Sequence, residues 1–372
     1  MRRKGILITF LFSTTMFLVA KWFVNTNSII RAVRLAPTQA QVRTSLPIMR
    51  QSVTLNDGTY NYHLNLSSFE AEFPHLQSYN CTRIREPHPE EQGASNQKLL
   101  ILAVKSNPGG GARRAALRET WARKREIMGY KIKPVFLLGK TNVKGHMDIV
   151  KLESQVYGDI LQWDMMEGHY NLSSKERCFL EWLYLNSPQV HYIFKADDDE
   201  FVNPDVIVHY ITEKGSPDTI HGFHQHRPPV MRRGKYCISR NLYPHDYYPG
   251  FVSGGGFLFP GASVHNLYMA SQLLPVFPLD DVYFGFLALA ANLTYRADSR
   301  FYVQGLKYDV CKYKEALVVH GINSEQMVKI WQEVQNSKCR MVTHTQPTEG
   351  QTNNRQENTP SSIQEINVLE DK

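Results

Sequence analysis

Lys195-Ala196-Asp197-Asp198-Asp199 is the stretch on which the fold turns. Its three carboxylates close an apolar run, Val190-His191-Tyr192-Ile193-Phe194, that reads as a buried strand. Consecutive aspartates at the carboxyl end of a strand repel one another unless a cation or a fixed donor offsets their charge. Hard divalent cations such as Mn²⁺ and Mg²⁺ take oxygen ligands of this kind and leave room for phosphates. A solvated acidic turn is the plain alternative, and the surrounding segments have to decide between the two.

Upstream of this strand the chain alternates. Residues 98–104 form an apolar strand and 112–127 a helix after the Asn107-Pro108-Gly109-Gly110-Gly111 turn. A second strand covers 134–139, a helix 148–156, a short strand 159–163, and a helix 174–185 leads into the acidic strand. This βαβα order predicts an α/β fold: a mostly parallel central sheet with helices on both faces. In open sheets of that kind ligands bind outside the carboxyl ends of the strands, where the three aspartates lie.

The N-terminus sets the compartment. Arg2, Arg3 and Lys4 precede an almost uncharged apolar run, Gly5 to Ala20, which continues after Lys21 through Trp22, Phe23 and Val24. With Lys21 snorkelling, the run reaches the roughly 20 residues of a spanning helix. Leu18 spoils a small-x-small cleavage site, so the segment reads as an uncleaved signal anchor with the cationic end in the cytoplasm. The expected organisation is a cytoplasmic tail (1–4), a transmembrane helix (5–24), a lumenal stem (25–94), a catalytic domain (95–341) and a disordered tail (342–372) rich in Gln, Asn, Thr and Pro. Sequons at Asn65, Asn80, Asn171 and Asn292 agree with a lumenal body. The five cysteines, Cys81, Cys178, Cys237, Cys311 and Cys339, predict disulfides plus one free thiol. Cys178 sits in an apolar helical pattern and is expected as a buried small hydrophobe. The formal net charge is +7. Basic residues are not interleaved with aromatics, which argues against a nucleic-acid partner.

Four further segments carry chemistry. Arg114 and Arg118, four apart after a glycine-rich turn, share one helical face and could hold a diphosphate, or else pair with neighbouring glutamates. Gly254-Gly255-Gly256 allows close backbone approach to a ligand, or marks a bulge. Asp280 and Asp281 precede an apolar helix, where they cap it or supply a base. His320 ends the β-branched run Leu317-Val318-Val319, as a metal ligand or a structural histidine.

In this order these segments resemble the β-1,3-glycosyltransferases of the galactosyl- and N-acetylglucosaminyl-transferase family. The matching pieces are Arg114 to Trp121, Phe136-Leu137-Leu138-Gly139, Tyr170 to Lys175, Lys195 to Asn203, Tyr248 to Phe257, Asp280 to Gly285, and His320. The resemblance implies a Golgi-membrane type II enzyme with a GT-A fold that uses a UDP-sugar and Mn²⁺ and inverts the anomeric centre. Position by position, it puts Asp199, Asp197 and His320 on the metal and Asp281 at the base, with Asp280 beside it. It puts Arg114, Arg118, Lys195, Asp197, Asp198 and Gly254 to Gly256 on the donor side. Phe277-Pro278-Leu279-Asp280-Asp281 looks more like the N-acetylglucosaminyl members, which implies GlcNAc transfer to the 3-hydroxyl of a terminal β-galactose, as in poly-N-acetyllactosamine. Three positions depart from the usual pattern: Glu200, which adds a negative charge beside the metal, Ser174 and Val252. The rivals are a β-1,3-galactosyltransferase, a catalytically silent lumenal glycan-binding protein and a metal-dependent hydrolase. Acceptor, disulfide pairing and homo- or hetero-oligomeric state stay open.

Overall fold

The computed structural model of the chain describes residues 52–89 and 97–339. Strands run in the order β1 (Ser52–Asn56), β2 (Asn61–Asn65), β3 (Arg83–Arg85), β4 (Lys98–Lys105), β5 (Arg125–Ile127), β6 (Tyr130–Lys140), β7 (Ile160–Met166), β8 (Val190–Asp197), β9 (Glu200–Val202), β10 (Thr219–Gln225), β11 (Phe251–Pro260), β12 (Thr294–Ala297), β13 (Phe301–Tyr302) and β14 (Val318–His320). Helices are α1 (Leu66–Glu72), α2 (Pro74–Ser78), α3 (Gly111–Glu119), α4 (Lys144–Tyr157), α5 (Asn171–Asn186), α6 (Pro204–Lys214), α7 (Val264–Leu273), α8 (Asp280–Ala290), α9 (Val310–Glu315) and α10 (Ser324–Asn336).

The central sheet has the order β12-β10-β11-β8-β4-β6-β7-β3, with β5 added on β6. Its middle, β8-β4-β6-β7, is parallel. These strands are mostly apolar because both faces are covered. Alternate residues feed two cores. Ile101, Ala103, Val135, Leu137 and Ile193 face α5, α7 and α8. Leu100, Leu102, Val104, Phe136, Leu138 and Phe194 face α3, α6 and α10. The expectation of a mostly parallel sheet needs correction, because the sheet is mixed. β11 runs antiparallel to both β8 and β10, and β3 and β5 are antiparallel to their neighbours. No helix lies between β10 and β11, so the chain returns rather than crossing over.

The expected helix over 112–127 is shorter. It ends at Glu119, and Arg125–Ile127 turns back as β5 through Met128 and Gly129, both at positive φ (47° and 78°), the geometry of a tight hairpin turn. Residues 52–89, read above as part of a stem, fold onto the body. Tyr62, Leu64, Phe69 and Leu76 are buried in the core beside α8, and β3 pairs with β7.

Cys178 is not the free apolar thiol expected. It bonds Cys81 across a sequence separation of 97 and ties this N-terminal segment to α5, while Cys311 pairs with Cys339 and Cys237 is free and exposed. Closing so long a loop restricts the unfolded chain. Cys81→Ser is therefore expected to cost about 2–5 kcal/mol, measured by denaturant unfolding of wild type and variant. The expected anchor (5–24) and tail (342–372) lie outside the described residues, among which no helix is long and apolar enough to cross a membrane.

Candidate active site

The site forms at the carboxyl edge of the parallel strands. β4 ends at Lys105 and β8 at Asp197, and these two residues are partners in the parallel ladder. The Lys105 Nζ lies 3.1 Å from Asp197 Oδ1 and 3.0 Å from Asp280 Oδ2, and so joins the acidic strand to the start of α8. After the 198–199 turn, β9 pairs antiparallel with β14, which sets His320 opposite Glu200. The backbone N–H groups of Gly321 and Ile322 donate to the Asp199 carbonyl at 3.1 and 2.8 Å. His320 Nε2 stands 3.7 Å from Asp199 Oδ1, and Asp197, Asp199 and His320 offer ligand atoms all within 4.8 Å of one another. Octahedral ligands about 2.1 Å from an ion lie roughly 3 to 4 Å apart. Two hard carboxylates and an imidazole at this spacing suit a divalent cation.

Asp281 is held by the glycines. Its Oδ2 accepts the Gly254 N–H at 2.8 Å, and a Cβ on Gly254 would lie 2.4 Å from Asp281 Oδ1. Gly256, at φ +102°, would bring a Cβ to 2.8 Å from Val318. The close approach inferred from these glycines is therefore to Asp281 and to β14 of the fold itself. Burial and the neighbouring Asp280 charge push the Asp281 carboxyl up to about 7. At Asp280, burial acts upward but is outweighed by the Lys105 ammonium, which holds the group below the usual carboxylate range. Two adjacent carboxylates thus differ in proton affinity: Asp280 stays ionised, and Asp281 can gain or lose a proton near neutrality.

Four expected donor-side residues point elsewhere. Arg114 is fully buried. Its Nε and Nη2 donate to Glu153 of α4 at 2.8 Å, and Nη1 donates to Ser106 Oγ and the Asn107 carbonyl. Arg118 donates to Glu153 at 2.7 Å and to Asp159 at 2.8 and 2.9 Å, under the rings of Phe136 and Tyr157. The two arginines share a face, but that face is packed inward as a clamp on α4, with both guanidiniums paired to carboxylates. Lys195 is buried in an ion pair with Glu176, where burial and the Lys105 charge lower its ammonium to about 7. Asp198 is buried and accepts from Ser106 Oγ at 2.7 Å and Arg113 at 2.8 Å, pinning the turn. Its cradle requires Gly110, whose Cβ would stand 2.9 Å from Asp198 Oδ2. Arg114→Ala would leave Glu153 partly unpaired. The expected result is a loss of about 3–5 kcal/mol of stability, read by denaturant unfolding, rather than a selective rise in donor KM.

Glu200 is placed where the expected charge is disfavoured. It is fully buried, and burial with the nearby Asp197 pushes its pKa well above the carboxylate range. Lys105 was missed in the sequence. The signal was present: it is the charged residue that closes an otherwise apolar strand at the edge where ligands bind.

A half-buried acidic strand end, a carboxylate–imidazole cluster and Asp281 lie together at this edge. Comparison with known proteins gives the family. The galactosyltransferase family model matches residues 112–299. The chain is 30% identical over 281 residues to beta-1,3-galactosyltransferase 5 of Pan paniscus, covering 74% of this chain and 92% of the relative. It is 34% identical over 263 residues to N-acetyllactosaminide beta-1,3-N-acetylglucosaminyltransferase 2 of Mus musculus, covering 66% of this chain and 65% of that relative. It is 28% identical over 373 residues to the acetylgalactosaminyl-O-glycosyl-glycoprotein beta-1,3-N-acetylglucosaminyltransferase of Mus musculus, covering 92% of this chain and 95% of the relative. The chain belongs to the galactosyltransferase family and is a β-1,3-glycosyltransferase.

Proposed function

We propose that this protein is an inverting, GT-A-type transferase of the Golgi membrane, of type II topology. It moves GlcNAc from UDP-GlcNAc to the 3-hydroxyl of a terminal β-galactose. The observation that carries the reading is the meeting of Asp197, Asp199 and His320 beside Asp281. When bound, Mn²⁺ held by those three residues would supply positive charge for the departing diphosphate. Asp281, ionised, accepts the proton of the acceptor hydroxyl as its oxygen attacks the anomeric carbon from the face opposite UDP. The Gly254 N–H and Asp280 fix the orientation and proton affinity of Asp281, and Lys105 fixes Asp280 relative to Asp197. The exposed sequons Asn65, Asn80 and Asn292 support a glycosylated lumenal body; Asn171 is half-buried, with its amide donating to Met166 O.

The test is transfer by the purified chain from UDP-GlcNAc and UDP-Gal to galactose- and GlcNAc-terminated acceptors, with linkage and anomer read by NMR. A β-1,3-linked GlcNAc on galactose is expected. Galactose transferred to GlcNAc would favour the second reading, a β-1,3-galactosyltransferase, to which the similarity to beta-1,3-galactosyltransferase 5 points. No transfer from either donor would leave a glycan-binding protein without this activity.

A further inference from the structure

Between Gln225 at the end of β10 and Phe251 at the start of β11 the chain makes a long excursion with an unusual charge. It holds five cationic side chains, Arg227, Arg232, Arg233, Lys235 and Arg240, against a single carboxylate, Asp246. Two of the five make hydrogen bonds or an ion pair within the loop. Arg232 donates to the carbonyls of Ile238, Ser239, Tyr243 and His245, and Arg240 reaches Asp246 at 3.0 Å. Arg227 lies over the rings of Tyr60 and Tyr247. Arg233 and Lys235 are exposed, and among the described residues neither meets a carboxylate.

The excursion is anchored. Tyr243 and Tyr248 are buried, with ring centroids 5.7 Å from Phe277. The His63 N–H donates to His245 Nε2 at 2.8 Å, and Ser239 Oγ donates to Glu72 at 2.8 Å. Tyr236, next to Lys235, packs 5.6 Å from His169, in the turn that follows β7. In the sheet β7 lies five places from β10 and four from β11, so the excursion reaches across the carboxyl edge. Phe277, on which it rests, lies three residues before Asp280, and β11, into which it returns, carries the Gly254 that holds Asp281. The candidate metal ligands come from β8, the 198–199 turn and β14, so the cationic excursion and the cation site belong to different parts of the chain.

Like charges held on a docked loop repel one another, and a bound anion relieves that repulsion. We infer that the acceptor is a galactose-terminated glycan that itself carries an anion, a sulfate ester or a carboxylate, held by Arg233 and Lys235 with Tyr236 beside them. This rests on the transferase reading above and names the acceptor class for it.

The experiment uses the full chain with Mn²⁺ and UDP-GlcNAc on three acceptors: neutral N-acetyllactosamine, its 6-sulfated form, and a galactose-terminated oligosaccharide with an internal glucuronate. At low salt, kcat/KM for an anionic acceptor is expected to exceed that for the neutral one by about tenfold. The advantage should shrink as salt shortens the screening length from about 10 Å to about 3 Å. Preference for the sulfated or for the glucuronate acceptor says which anion is read, and either supports the inference. Arg233→Gln with Lys235→Gln should bring the anionic-to-neutral ratio near one, and the double charge reversal to Glu below one, with melting temperature as the check on folding. Equal kcat/KM on all three acceptors, or a variant effect that falls on donor KM instead, overturns the inference and leaves the transferase standing. Absence of transfer to all three overturns the reading of GlcNAc transfer to galactose and the inference with it.

Discussion

Asp281→Asn is expected to lower kcat by about 10²–10⁴-fold while UDP binding survives, because the amide keeps the shape of the group but cannot take a proton. The Gly254 N–H that now donates to Asp281 Oδ2 can donate to the amide oxygen instead, so the helix start should stay in place. Isothermal titration with UDP and steady-state kinetics on the same preparation separate the two effects. Full activity in the variant would remove Asp281 from the base role. The pH profile gives a second reading. The Asp281 carboxyl lies near 7, so the ionised base is lost as pH falls. The acid limb of kcat/KM should therefore bend near neutrality, well above the range of an ordinary aspartate. An acid limb bending near 4 would mean that the titrating base is not in this environment.

The second large effect concerns the cation site. Asp199→Ala and His320→Ala each remove one of the three proposed ligands and are expected to lower transfer by more than about a hundredfold at subsaturating Mn²⁺. Chelation should abolish transfer by the wild type. The effect on activity has an independent partner. Metal that binds only the folded chain raises the melting temperature, so Mn²⁺ should shift wild-type melting and fail to shift that of either variant. A Mn²⁺ shift that persists in both would mean that the ion binds elsewhere. The same measurement on Asp198→Asn distinguishes the aspartates. Asp198 is tied to Ser106 and Arg113 on the buried side of the turn, so this change should leave the Mn²⁺ shift in place and lower the baseline melting temperature.

Strands β4, β6 and β8 were legible because a strand covered on both faces must be apolar at every position, and that constraint is written locally. The aspartates at the end of β8 were legible for the opposite reason: charge is out of place at the end of such a run. Arg114 and Arg118 show the limit of that reading. Helical spacing puts them on one face, but only the position of α4 shows that Glu153 occupies that face from the inside. Glu200 is similar. In the sequence it adds a negative charge beside the metal, whereas its place in the β9–β14 pair buries it and raises its pKa.

By itself the sequence determined the strand–helix alternation, the edge at which ligands bind and the residue types that gather there, because each follows from neighbours a few positions away. Only the tertiary structure decided which residues meet. The β9–β14 pairing brings His320 to Asp199, the parallel register of β4 and β8 aligns Lys105 with Asp197, and Gly254 reaches Asp281 across the start of α8. Contacts between distant segments depend on register and packing, and no local pattern of residue types encodes them.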